Sequence, residues 1–183
     1  MYKDFLITRK AFAKLNLHLQ ILNRRSDNFH NLLSIMAEIG IYDLLKLESF
    51  ALEPHKGSLE VEIINSGGGC STVLDDIPAE KNLISIAVKK YLLALGMGGC
   101  VKFSIEKNIP SGAGLGGGSS DAAAALDMIR TALQLQQDEA LFSAASESGS
   151  DVPFFLKGGI AFAEGRGEIL QQINKHLDLP VVL

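Results

Sequence analysis

The sequence predicts an α+β domain with a mixed or mostly antiparallel sheet packed with helices, and three observations carry that prediction. The first half of the chain alternates with the two-residue period of strands. The period becomes helical near residue 81 and returns to that of a strand near 101. A glycine-rich run then separates that strand from an alanine-rich helical stretch.

The elements follow in order. FLIT (5–8) is a short β-prone run, and AFAKLNLHLQIL (11–22) alternates. Strict alternation sends Ala13, Leu15, Leu17, Leu19 and Ile21 to one face and Lys14, Asn16, His18 and Gln20 to the other. The polar cluster at 23–31 marks a turn or exposed loop. LLSIMAEIGI (32–41), DLLKLESF (43–50) and SLEVEII (58–64) read as three further strands, and NSGGGCS (65–71) as a flexible connection. KNLISIAVKKYLLALG (81–96) places Leu83, Ile84, Ala87, Val88, Tyr91, Leu92 and Leu95 on one helical face, with Gly96 as a stop. VKFSIEKNI (101–109) is a strand, Ser119 to about Gln134 a helix, and 138–148 a shorter helix. GIAFAE (159–164) and GEILQQI (167–173) form a hairpin around Gly165, and LDLPVVL (177–183) opens an apolar strand.

Composition narrows the function classes. The 183 residues are 47% hydrophobic and 21% charged, with 17 basic against 21 acidic side chains and a net charge of -4. That balance argues against a nucleic-acid backbone as the main partner. Charges interrupt every apolar run well before the roughly 18 residues of a membrane span, so no membrane partner is expected. The start carries no apolar secretory segment, and Cys70 and Cys100 show no metal-ligand spacing. A cytoplasmic protein with reduced thiols is expected.

The chemistry concentrates in PSGAGLGGGSS (110–120). Five glycines fall within seven residues, at Gly112, Gly114, Gly116, Gly117 and Gly118. Such a run lets a ligand approach main-chain N–H groups, and the helix behind it offers its unpaired N–H groups and positive dipole end. Ser119 and Ser120 add hydroxyls, which together make a phosphate cradle. A Walker loop is excluded because no lysine precedes the serines. A dinucleotide GxGxxG can be spelled with Gly112, Gly114 and Gly117, but Pro110 intervenes and Gln134, Gln136 and Gln137 stand where an acidic residue belongs. A plain glycine turn is the third reading.

Three stretches together carry a resemblance. PSGAGLGGGSSDAAAAL (110–126) resembles the phosphate loop of the GHMP kinase superfamily, small-molecule kinases with a non-Walker ATP loop. AKLNLHLQILNRRSDNFHNL (13–32) and SGSDVPFFLKGGIAFAEGRGE (148–168) are similar to motifs of the branch that phosphorylates 4-diphosphocytidyl-2-C-methyl-D-erythritol, and KNLISIA (81–87) resembles its nucleotide-side helix start. Phe29 replaces the usual Tyr, Asn28 the usual Gly and Ser150 the usual Ala.

The resemblance implies a fold shared with a ribosomal-protein domain and an ATP-dependent phosphorylation of an alcohol in isoprenoid biosynthesis, with magnesium on the phosphates. It implies that Asp151 is the general base and that Lys14 keeps this carboxylate charged. Asn16, Phe29 and His30 would contact the cytidyl substrate. Asn82 and Lys107 would lie near the adenosine, and the loop Pro110, Ser111, Gly112, Ala113, Gly114, Leu115, Gly116, Gly117, Gly118, Ser119 and Ser120 would hold the triphosphate. The metal ligands stay unknown. A homoserine or mevalonate type of kinase, or a nucleic-acid-binding module without catalysis, are the alternatives. Residues 1–183 read as the family's N-terminal ATP-binding domain, leading by the last strand toward a second domain that the sequence does not contain. Weak activity of the chain alone is expected, with apolar surface inviting self-association or a homodimer.

Overall fold

The computed structural model describes residues 7–24, 28, 30–54, 57–70, 78–136, 139–175, 178 and 180–182. The alternating first half folds into two long strands, β1 (Ile7–Arg24) and β2 (His30–Pro54), paired antiparallel as a hairpin. β3 (Leu59–Gly67) follows, then a short 3₁₀ turn (Ala79–Lys81) and α1 (Leu83–Ala94). β4 (Met97–Glu106), α2 (Gly117–Ala132), α3 (Glu139–Ser148) and α4 (Val152–Lys157) come next, and β5 (Ile160–Gly165) and β6 (Ile169–Gln172) close the order. The sheet has six strands, ordered β3-β4-β2-β5-β6, with β1 on β2. Among the described residues only the β3–β4 pair is parallel, so the sheet is mixed, as the sequence predicts.

Several elements differ from the sequence reading. Residues 32–41 and 43–50 belong to one strand, because β2 is a shared spine. Its N-terminal half pairs with β5 and its C-terminal half with β4, while β1 runs along it. The β1 register shifts at Leu17, where Asn16 faces Met36 and His18 faces Ile35. An extra residue on one strand reverses the side-chain parity beyond it. Leu19 and Ile21, opposite Ser34 and Leu32, therefore share a face with Lys14 and Asn16, opposite Glu38 and Met36. The expected alternation fails there. Residues 65–67 extend β3, and the loop beyond them is clamped: Cys70 N–H donates to Lys107 O at 2.9 Å and Gly69 N–H to Asn108 Oδ1 at 3.2 Å. α2 starts at Gly117, two residues before the helix predicted from Ser119. Asp178 and residues 180–182 join no strand, and Val182 is 97% exposed.

The main core lies between sheet and helices. Leu45, Leu47, Phe103 and Ile105 from the strands meet Ile84, Tyr91 and Leu92 of α1 and Leu126, Met128 and Ile129 of α2, with Leu141 and Ala145 from α3. A second cluster joins Met36, Ala161 and Ala163 to Phe154 of α4. Full burial of a large aliphatic or aromatic side chain stabilises by roughly 1.5–3 kcal/mol, so these faces hold the helices to the sheet. Among the described residues no helix is long and apolar enough to cross a membrane.

Two glycines at the α1–β4 junction give a stability test. Gly96 has φ +66 with open space around it, whereas Gly99 has φ +128 and a Cβ there would lie 2.0 Å from Ala51 O. Gly96→Ala carries only the left-handed backbone cost, about 1 kcal/mol. Gly99→Ala must also move β2 or β4, at about 3 kcal/mol or more. Urea unfolding should give a clearly lower midpoint for Gly99→Ala than for Gly96→Ala.

Candidate active site

The glycine-rich loop turns from the end of β4 to the start of α2. Gly112, Gly114 and Gly116 all have positive φ, near +72 to +75, where a side chain is strained. Gly116 is the N-cap of α2 and forms no side-chain cap, so the first-turn N–H groups are left for a ligand. Ser120 N–H donates to Gly116 O at 2.9 Å and its side chain is buried. The loop also lies against β1: Lys14 N–H donates to Leu115 O at 2.9 Å, and Leu115 packs on Ala13 and Ile109.

A cavity of about 200 Å³ opens along the loop. Its walls are Pro110 to Gly118 together with Lys81, Asn82, Leu83, Ile84, Lys107, Ile109 and Asp121. Asn82 reaches it while capping α1, its Oδ1 accepting from Ile84 N–H at 2.9 Å. Lys107 and Asn82, far apart in sequence, thus meet the loop in one cavity.

At the other end of the loop stand Lys14 and Asp151. Lys14 Nζ lies 3.4 Å from Asp151 Oδ2 and donates to Asn16 Oδ1 at 3.1 Å. The Lys14 side chain is 7% exposed, that of Asp151 32%. Asp151 occupies the N-cap position of α4, with Pro153 in the first turn, yet forms no capping hydrogen bond. Its carboxylate is turned toward Lys14 and keeps a face to solvent. A Cβ at Gly116 would lie 2.8 Å from the Phe155 ring and 3.2 Å from Lys14 Cγ. The last loop residue therefore fits directly between the lysine stem and α4. Ser119 reaches the turn before Asp151, since a Cβ at Gly149 would be 3.7 Å from Ser119 Oγ.

The remaining expected contacts lie elsewhere. His30 is exposed at the tip of the β1–β2 hairpin, opposite Arg24, away from the Lys14–Asp151 pair. Phe29 lies outside the described residues. Between tip and pair, β1 exposes Leu17, Leu19, Ile21 and Leu22, at 47%, 49%, 67% and 39%.

Sequence reasoning missed three acidic residues. Glu38, opposite Lys14, grips the turn after α4: Gly159 N–H donates to Glu38 Oε2 at 2.6 Å, and Glu38 N–H to Gly159 O at 2.9 Å. Burial raises the Glu38 pKa, against the lowering effect of the Gly159 N–H. Asp43 and Asp121 both contact the Lys107 ammonium. Asp43 is a lone acid inside the apolar run IYDLLKL, and that is the signal that could have exposed it.

Residues 82–159 match the family model described as GHMP kinases N terminal domain. The chain is 38% identical over 175 residues to 4-diphosphocytidyl-2-C-methyl-D-erythritol kinase of Prochlorococcus marinus (strain MIT 9215), covering 95% of this chain and 52% of the relative. It is 36% identical to the enzyme of that name from Pseudothermotoga lettingae, covering 98% and 60%. A crystal structure of 4-(cytidine 5'-diphospho)-2C-methyl-D-erythritol kinase superposes with TM-score 0.69 at 37% identity, over 91% of this chain and 55% of the other. A homoserine kinase from Cytophaga hutchinsonii, at 22% identity and TM-score 0.58, shares the fold. The chain thus spans about half the length of the curated relatives it matches. In its glycine-rich loop, its lysine–aspartate pair and its fold the chain is thus similar to GHMP kinases, and residues 82–159 match the model of their N-terminal domain.

Proposed function

We propose that this chain provides the nucleotide site and the acceptor-activating pair of a kinase that transfers the γ-phosphoryl group of ATP to the 2-hydroxyl of 4-diphosphocytidyl-2-C-methyl-D-erythritol. The observation that carries the reading is the junction at Gly116. There the phosphate-type loop meets the Lys14 stem, and Lys14 meets Asp151 at 3.4 Å. A polyphosphate lying on the N–H groups of the loop and α2 would end beside this pair.

The chemistry follows from the groups present. The half-exposed Asp151 carboxylate takes the proton of the acceptor hydroxyl as its oxygen attacks phosphorus, and the bond from phosphorus to the bridging oxygen of ADP breaks. Lys14, fixed by Asn16 and Leu115, holds Asp151 in place and offsets negative charge near the transferring group. The remaining work is positioning, which the loop, anchored at both ends, supplies. Among the described residues no group of three or more His, Cys, Asp or Glu is arranged to hold a metal. Magnesium would be carried on the nucleotide phosphates and would neutralise their charge. His30 and Phe29 are proposed to hold the cytosine end. The exposed strip of Leu19 and Ile21 borders the pair on the same sheet face and is proposed as the surface for self-association. We place the reaction in the cytoplasm.

Three outcomes are expected. In a coupled ADP-release assay with the cytidyl substrate and a full-length enzyme, Asp151→Asn should lower kcat by at least about 100-fold, the usual scale of general-base loss. ADP affinity should stay within a factor of about two, because the carboxylate is not part of the cradle. Gly116→Val should weaken ADP binding, through its collision with Phe155 and the strained φ, and should lower kcat as well by pressing on the Lys14 stem. His30→Ala should raise KM for the cytidyl substrate by several-fold, corresponding to one hydrogen bond of about 0.5–1.5 kcal/mol. An unchanged KM would point to a different alcohol.

A further inference from the structure

A group of charges beneath the loop is not used by the phosphoryl-transfer chemistry. Lys107 stands one residue beyond β4, its backbone clamped by Gly67 O, which accepts its N–H at 2.9 Å, and by Cys70 N–H, which donates to its carbonyl. Its ammonium group donates to Asp43 Oδ2 and, at 2.7 Å, to Asp121 Oδ2. The three side chains are 8%, 0% and 4% exposed. A Cβ at Gly117 would lie 3.5 Å from Lys107 Nζ, so the cation sits under the first residue of α2. Lys107 and Asp121 both line the loop cavity.

Two buried carboxylates beside one ammonium group would leave an uncompensated negative charge, which an interior resists by keeping a proton. The donor count decides which acid keeps it. Asp43 accepts from Lys107 and from the N–H groups of Asn108 at 2.5 Å and Ile109 at 2.8 Å. Asp121 accepts from Lys107 alone, and its Oδ1 is buried with no hydrogen-bond partner among the described residues.

We propose that Asp43, Lys107 and Asp121 form a neutral buried triad in which Asp121 keeps a proton, and that this proton positions the nucleotide loop. The link to nucleotide binding rests on the function proposed above; the triad itself does not. Asp43 and Asp121 are thus positioning residues, acting through Lys107. Loss of the proton places a net negative charge on the cavity floor, where a polyphosphate would be repelled.

Burial pushes the Asp121 carboxyl up to about 8, opposed by Lys107 and reinforced by the charge of Asp43. Burial also works against the charge of Lys107, but Asp121 and Asp43 outweigh it and hold the ammonium group above its ordinary range. Other charged groups face neighbouring contacts. Glu106 meets the Asn108 side chain, and the Cys70 thiol meets Asn108 O. Lys81 lies in the cavity wall, and Lys14 pairs with Asp151 beyond the loop. Asp127 is held by Arg9 and Arg130 farther along α2, and Lys90 of α1 pairs with Glu147 of α3. The sign follows from tighter proton binding in the folded state than at the ordinary value of 3.8. The contribution of Asp121 to stability is full below about pH 4 and is lost as pH rises through about 8.

Asp121→Asn, which mimics the protonated acid, tests this. Between pH 6 and 9 the Tm of the unaltered chain should fall relative to that of Asp121→Asn, with the gap widening by about 4 °C or more, the scale of one to two kcal/mol in a chain of this size. Mg–ADP affinity, measured by calorimetric titration, should weaken about tenfold over that range in the unaltered chain and stay within about twofold in Asp121→Asn. Asp43→Asn should lower Tm at every pH. Parallel pH profiles for the unaltered chain and Asp121→Asn overturn the triad. ADP binding with equal pH dependence in both overturns its positioning role and leaves the nucleotide site standing. No ADP binding at any pH removes the proposed function, and the Tm comparison still decides the triad. Should Asp121→Asn fail to fold, infrared spectroscopy of the ¹³C-Asp-labelled unaltered chain decides. A protonated-carboxyl band present at pH 7 and lost by pH 9 supports the triad, and its absence at pH 7 overturns it.

Discussion

The ammonium group of Lys107 ties together the parts of this molecule that matter for function. It joins Asp43 of β2 to Asp121 of α2 from a position just past the end of β4. Asp43 then fixes the backbone at Asn108 and Ile109, from which the glycine-rich loop departs. The loop after β3 locks onto the same place through Cys70 and Gly69. A loop with three left-handed glycines has large conformational entropy to lose, and anchoring both its ends limits how much must be lost when a ligand binds. At its far end the anchors are Leu115 on β1 and the fit of Gly116 between Lys14 and Phe155.

The second constraint is the long spine of β2. Because β1, β4 and β5 all pair with it, residues from distant parts of the chain reach one sheet face. Lys14 enters from β1 and Glu38 from β2. Glu38 holds the turn after α4, and so orients the short helix that carries Asp151 at its start. The lysine–aspartate pair is therefore a product of strand register, and the shift at Leu17 aligns it with the exposed strip of Leu19 and Ile21.

Much of this was legible in the sequence. The strand period, the α1 face, the loop and the alanine-rich helix follow from local pattern, because each depends on neighbours within a few residues. The separation of 32–41 from 43–50 was an error of the same locality: Asp43 interrupts the apolar run, yet it is tolerated inside a strand because Lys107 meets it 64 residues later. The parity reversal at Leu17 leaves no composition signal, since a bulge is defined by the partner strand. α4 is too short for periodicity and is started by Asp151, Val152 and Pro153 rather than by an apolar stripe. The role of NSGGGCS was hidden for a similar reason. Gly68 is needed because a Cβ there would lie 2.3 Å from Lys107 O, a contact invisible along the chain. The site residues were nameable only through the joint resemblance of several motifs; singly, Lys14 reads as a surface lysine and Asp151 as a helix cap.

The central claim is that the loop from Pro110 to Ser120 is a nucleotide-phosphate cradle. Amide chemical-shift mapping by NMR during titration of the ¹⁵N-labelled chain with Mg–ADP tests it most directly. The largest saturable shifts should fall at Gly112 to Ser120, with Asn82 and Lys107 following the same binding curve. Saturable shifts confined to the β1–β2 hairpin or to the α3 surface, with the loop amides unmoved, would contradict it.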